Sequence, residues 1–86
     1  MISHRSRKFK KSYALLPAHA QALAIKNYRL WREDPWHPSL QFKDIGSSLW
    51  SVRIGIDYRA VGIRDGDVIV WQWIGPHAVY NRLIKQ

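Results

Sequence analysis

Cysteine is missing from all 86 residues, which excludes disulfides, zinc–thiolate centres and thiol nucleophiles. A chain without disulfides fits a reducing cytoplasm, and that location is expected here. Acidic side chains are scarce and late: the first 32 residues carry eight basic groups and no acid, and every acid lies at Glu33 or beyond. Glu33 is the only glutamate, so no paired-carboxylate arrangement of glutamates can form. No apolar run is long enough to cross a bilayer, and no apolar stretch of signal-peptide type follows the basic N-terminus. The chain has no P-loop, no G-x-S-x-G and no H-E-x-x-H. His4, His19 and His37 lack metal-ligand spacing, so neither a metal nor any other cofactor is expected.

What remains is a small, basic, aromatic chain. Apolar residues make up 47%, and five of the eleven aromatics are Trp, a composition that builds a packed core rather than a disordered coil. The length suits one domain spanning residues 1–86. The net charge of +8 favours an anionic partner: nucleic acid, an anionic membrane or an acidic protein.

Residues 1–4 read as a brief strand or a frayed end. Phe9, Tyr13 and Leu16 are spaced i, i+4, i+7, one face of a helix that Ser6 can cap, while Arg5, Arg7, Lys8, Lys10 and Lys11 occupy the other faces. Pro17 interrupts the pattern and opens a second helix to about Arg32. Residues 33–38, with two prolines, form a connector. Strands are then predicted over 40–45, 49–54, 58–64 and 68–74, with turns at Gly46-Ser47-Ser48, Gly55-Ile56-Asp57 and Asp65-Gly66. The last strand is nearly all apolar and reads as central. Residues 77–85 form a short helix or an extended tail. The small residues Ala60 and Gly62 share a face and suggest a helix packed closely over it. The order of elements predicts an α+β fold: an N-terminal two-helix hairpin on one face of a small, twisted antiparallel sheet, with the other face open and Arg53 pointing out of it.

Taken together, the segments FKKSYALLP, DPWHPSLQFKDI and above all WSVRIG, DYRAV and WIGPHAVY resemble the RelE/ParE toxin superfamily of bacterial toxin–antitoxin modules. The likeness covers nearly the whole chain and is greatest for the RelE and HigB-like members that act on messenger RNA. It implies two helices packed on a small antiparallel sheet. It also implies a metal-independent endoribonuclease that cuts messenger RNA in the ribosomal A site, inhibits translation and is silenced by an antitoxin. Carried over by position, Arg53 lies in the basic strand that supports the substrate phosphates, Arg59 matches the phosphate-stabilising arginine, and His77 and Tyr80 match the C-terminal catalytic region. Lys43 is a fainter match on the preceding strand. Lys8 and Lys11 belong to a basic run that either is solvated or docks ribosomal RNA through phosphate contacts.

The chemistry fits these residue types. When a 2′-hydroxyl attacks the adjacent phosphorus, the reaction needs a base, an acid for the leaving 5′-oxygen, and positive charge at the phosphorane. An imidazole exchanges protons near neutrality. Paired guanidiniums hold non-bridging oxygens bidentately. A tyrosine stacks under a base or donates a proton. Against this stand plainer readings: His77 hydrogen-bonding a backbone carbonyl, Tyr80 and Trp73 as core aromatics, and Arg59 paired with Asp57 or Asp67. The same superfamily also holds ParE-like gyrase inhibitors without RNase activity, and a non-toxic RNA- or antitoxin-binding relative would share the fold. Every version expects an acidic or amphipathic antitoxin, and the leading one adds messenger RNA and the ribosome.

Overall fold

The structure is a computed structural model that describes residues 1–84. The elements run β1 (Ile2–Arg5), α1 (Arg7–Ala14), α2 (Ala18–Glu33), a single 3-10 turn (Pro38–Leu40), β2 (Lys43–Gly46), β3 (Leu49–Ile54), β4 (Tyr58–Asp65), β5 (Val68–Pro76) and α3 (His77–Ile84). Ser6 caps α1 by accepting a hydrogen bond from the Phe9 amide at 3.1 Å. Pro17 stands immediately before α2 with φ −63°, a value its ring fixes in any case.

The five strands lie in the order β1-β5-β4-β3-β2. The sheet is mixed, not antiparallel as expected: β1 runs parallel to β5, with Ile2 opposite Val68 and Arg5 opposite Trp71. The segment that reads as a strand or a frayed end is therefore an edge strand, and it makes β5 a central one. With His4 and Arg5 among four residues it carries little apolar signal, and only the exposed edge of β5 gives it a partner.

Two further expectations change. The predicted strand over 40–45 shortens to Lys43–Gly46, because Leu40 ends the 3-10 turn and Gln41 takes φ +44°. Leu40 and Phe42 are nonetheless both buried. The helical complement is also larger than an N-terminal hairpin: residues 77–84 form α3, beyond the last strand. The predicted end of this segment, at Lys85, lies outside the described residues.

One face of the sheet carries the main core. Leu16, Ala20, Ala24 and Trp31 from the helical layer meet Val52, Ile54, Ala60, Ile69, Trp71 and Ile74, with Phe9 and Tyr13 packed alongside. Trp31 sits edge-on to Trp71 at 5.4 Å and to Phe42 at 5.7 Å, the geometry favoured by aromatic quadrupoles. Ser3 ties three elements together: its hydroxyl oxygen accepts from Tyr28 Oη at 3.0 Å and from Trp71 Nε1 at 3.1 Å. Ala60 lies in this core as its size suggested, but Gly62 serves a different purpose. A Cβ there would meet Ile69 Cγ1 at 2.8 Å and Trp71 Cε3 at 3.0 Å, so it makes room for side chains of β5 and not for a helix.

Strand β5 contains a bulge. Trp73 lies opposite Val61 and Trp71 opposite Gly62, which leaves Gln72 without a partner on β4. At this point the chain of β1 has already turned into α1, and the amide of Ile74 is taken up by Ser12 Oγ at 3.1 Å, while that hydroxyl donates to the Phe9 carbonyl at 2.9 Å. Ser12→Ala therefore leaves a strand amide unpaired. The expected cost is about 1–3 kcal/mol in denaturant unfolding, with faster hydrogen exchange at the Ile74 amide. Wild-type stability and exchange in the variant would show that Ser12 does not hold the bulge.

Candidate nucleic-acid interface

Strand register determines which side chains share the second face. Arg53 lies directly opposite Arg59, and Arg59 directly opposite Gly75. Directly opposed residues project from the same face, so two guanidinium stems rise side by side next to a residue with no side chain. Neighbouring strands are about 4.8 Å apart, so the three positions span only about 10 Å. Val52, Ala60 and Ile74, one step along each strand, point the other way into the helix-side core. The sheet thus separates an apolar layer from an arginine face.

Among the described residues neither arginine has a carboxylate partner. Among the described residues the one ion pair joins the N-terminal amine to Asp67 at 3.8 Å, so the expected alternative, an Arg59 paired with Asp57 or Asp67, does not form. The two guanidiniums are oriented by backbone instead. Arg53 Nε donates to the Gly55 carbonyl at 3.0 Å, and Arg59 Nη1 donates to the Tyr58 carbonyl at 2.9 Å. Burial holds the Arg59 guanidinium below its ordinary pKa, the charge of Arg53 lowers it further, and Tyr80 opposes the shift. Arginine stays protonated regardless, so the consequence is an unrelieved repulsion awaiting an anion.

His77 and Tyr80 reach this region through α3. The His77 amide donates to the Asp57 carbonyl at 2.7 Å, which fastens the start of α3 to the β3–β4 turn. One helical turn brings the two rings together, with centroids 6.3 Å apart and planes 24° apart. His77 is half-buried. Tyr80 is 4% exposed yet stands outside the helix-side core, on the helix that Asp57 fastens at the arginine end of the sheet. The second face is therefore not fully open as expected, because α3 packs against it.

Lys43 is opposite Ser51, two residues from Arg53 on the same face, and its side chain is exposed at the sheet edge. Lys8 and Lys11 are exposed on α1, whose Phe9 and Tyr13 pack into the helix-side core, so they belong to the other side of the sheet. The structure thus brings together Arg53, Arg59, His77 and Tyr80, adds Lys43 at the margin, and leaves Lys8 and Lys11 apart. Acids occupy both ends of the strands, and Asp57, in the β3–β4 turn, is at the arginine end. Asp44, Asp65 and Asp67 lie by the β2–β3 and β4–β5 turns, at the end of the sheet remote from Arg53, Arg59 and His77. At that remote end Arg64 stacks over Trp50 at 4.5 Å and over Trp36 at 5.8 Å, which accounts for it without a ligand.

A second concavity lies in the helical layer. An apolar groove of about 430 Å³ between α1 and α2 is walled by Phe9, Tyr28 and Trp31 and includes the exposed arginines Arg5, Arg29 and Arg32. Trp31 Nε1 is buried with no hydrogen-bond partner.

No protein-family model and no curated protein sequence matches this chain. Solved structures do. The RelB–RelE antitoxin–toxin complex from Methanococcus jannaschii superposes with TM-score 0.71 at 17% identity, covering 92% of this chain and 96% of that one. The YoeB/ParE toxin from Agrobacterium tumefaciens gives 0.67 at 15%, covering 90% and 99%. The isolated RelE toxin of Escherichia coli gives 0.64 at 14%, covering 98% and 95%.

The unpaired arginines generate a direct test. Like charges directly opposed on neighbouring strands are destabilising, so Arg59→Gln should unfold no more readily than wild type and gain up to about 1 kcal/mol at low salt. Inorganic phosphate should raise the melting temperature of wild type and leave that of the variant unmoved. A variant less stable than wild type, with the phosphate response intact, would show that the pair is structural.

Proposed function

This chain has the fold of the RelE/ParE toxin superfamily, and on that premise we propose that it is the toxin of a type II toxin–antitoxin module, a metal-independent endoribonuclease that cuts messenger RNA on the ribosome and so inhibits translation. The observation that carries the reading is the Arg53–Arg59 pair, without a carboxylate partner among the described residues, with α3 carrying His77 and Tyr80 fastened next to it. A gyrase-inhibiting relative needs no such convergence of phosphate-binding and proton-transferring groups.

The residues divide the work as follows. Arg53 and Arg59 hold the non-bridging oxygens of one phosphate and stabilise the extra charge of the phosphorane. The 2′-hydroxyl gives its proton to solvent water as its oxygen attacks phosphorus, the bond to the 5′-oxygen breaks, and His77, as imidazolium, supplies the proton that the leaving oxygen takes up. Tyr80, being buried, serves as the support of Arg59 and His77 and not as a surface for a base. Lys43 extends the phosphate track at the sheet edge. Lys8 and Lys11, on the helical layer, contact ribosomal RNA phosphates and contribute affinity that falls steeply with salt. This activity places the protein in the cytoplasm.

The partner that silences it is an acidic, amphipathic antitoxin. Its apolar side suits the groove between α1 and α2, and its acids suit Arg5, Arg29 and Arg32. Reversing Arg29 and Arg32 to Glu should abolish co-purification with a co-expressed antitoxin while mRNA cleavage persists. Undiminished co-purification would remove the groove from the interface.

The activity itself is tested by mapping transcript 5′ ends after induction. Wild type should give codon-phased cuts. His77→Ala and Arg59→Ala, checked for folding, should lower cleavage by about 10²–10⁴-fold. Codon-phased cutting at wild-type rates by both variants would overturn the site assignment, and intact transcripts with DNA-damage signalling would point to gyrase.

A further inference from the structure

One aromatic has no place in the core or in the residue roles assigned so far. Of the five tryptophans, Trp31 and Trp71 are buried in the helix-side core, and Trp36 and Trp50 meet edge-on under Arg64 at the remote end. Trp73 is half-buried, and among the described residues it makes no ring–ring or cation–π contact. In an unbroken strand Trp71 and Trp73 would share a face. The bulge at Gln72 turns Trp73 over, opposite Val61, onto the face of Arg53 and Arg59. Re-aiming a side chain is what bulges beside functional sites do.

Gly75 then determines where the indole lies. A Cβ on Gly75 would collide with the Trp73 ring, meeting Cη2 at 2.9 Å and Cε2 at 3.1 Å. The ring is therefore laid along its own strand, over the residue directly opposite Arg59. A half-buried indole on the same face as two guanidiniums is the combination that single-stranded nucleic acid requires: charge for the phosphate, and an aromatic ring for the adjoining base.

We propose that Trp73 is the base-stacking platform of this face, holding the nucleotide whose phosphate lies between Arg53 and Arg59, with Gly75 as the positioning residue that leaves room for the indole. The inference rests on reading the arginine face as an RNA phosphate site and names the contact that reading lacks. Stacking is tolerant of sequence, because every base has a π-face, so Trp73 contributes affinity and register and not base identity.

The test uses the full chain and a short single-stranded 2′-O-methyl oligoribonucleotide, which cannot be cut. An abasic site is stepped through it one position at a time, and binding is followed by anisotropy. Wild type should lose about tenfold in affinity when the abasic site falls at one particular position. Trp73→Ala should lose a similar factor on the intact oligonucleotide and become indifferent to the abasic site there. Trp73→Phe should retain most of the affinity and the sensitivity. Gly75→Ala, which displaces the ring and leaves both arginines, should weaken binding as Trp73→Ala does. If Arg59→Gln weakens binding while Trp73→Ala does not, or if Trp73→Ala keeps the abasic penalty, the stacking role is overturned and the phosphate site survives. If wild type binds no better than Arg59→Gln, both fall together.

Discussion

Two arginines stand opposite each other across β3 and β4 with no carboxylate partner among the described residues, and the surrounding structure is arranged so that they stay there. The arrangement is unfavourable by itself, since opposed like charges repel and burial weakens the hydration that would screen them. It persists because the same strands present Val52, Ile54, Ala60 and Ile74 to the other face, where the helices and Trp31 complete the core. Strand alternation links the two: burying one set of residues places the arginines opposite, whatever their mutual repulsion. A stability cost concentrated where an anion would relieve it is the physical mark of a binding site.

The rest of the face depends on how β5 ends. The strand is gripped on both sides, by β4 along its length and by β1 up to Trp71. Beyond that point the hydroxyl of Ser12 replaces the missing strand, and the bulge at Gln72 can exist without an orphaned amide at Ile74. The bulge places Trp73 on the arginine side, and the Asp57 carbonyl then fastens His77 at the start of α3. A helix, a turn and an irregular strand thus together shape the arginine face, and none of the three would do so alone.

The helical layer has a different character. Its basic side chains stand on exposed positions of α1 and α2, and the groove between these helices is lined with aromatic carbon. The two faces of the sheet therefore differ in kind: paired arginines on one, and an apolar groove with basic side chains over the other. Asp44, Asp65 and Asp67 stand at the far end of the strands, whereas Asp57 lies in the β3–β4 turn at the arginine end.

Much of this was legible in the residues. The i, i+4, i+7 spacing of Phe9, Tyr13 and Leu16, the cap at Ser6 and the alternation through Trp50, Val52 and Ile54 are local signals, and each element they mark is present. Alternation also showed Arg53 turned away from the core, because one buried face implies the other. The parallel pairing of β1, the bulge at Gln72, the burial of Tyr80 and the turning of Trp73 had no local signal. Each depends on contacts between segments far apart in sequence: β1 with the edge of β5, Ser12 with Ile74, α3 with the arginine face. Short-range propensity decided which residues became helix or strand and which charges avoided the core. Only the folded chain decided which of them would meet, because register and packing are properties of pairs of segments and are not encoded in either segment alone.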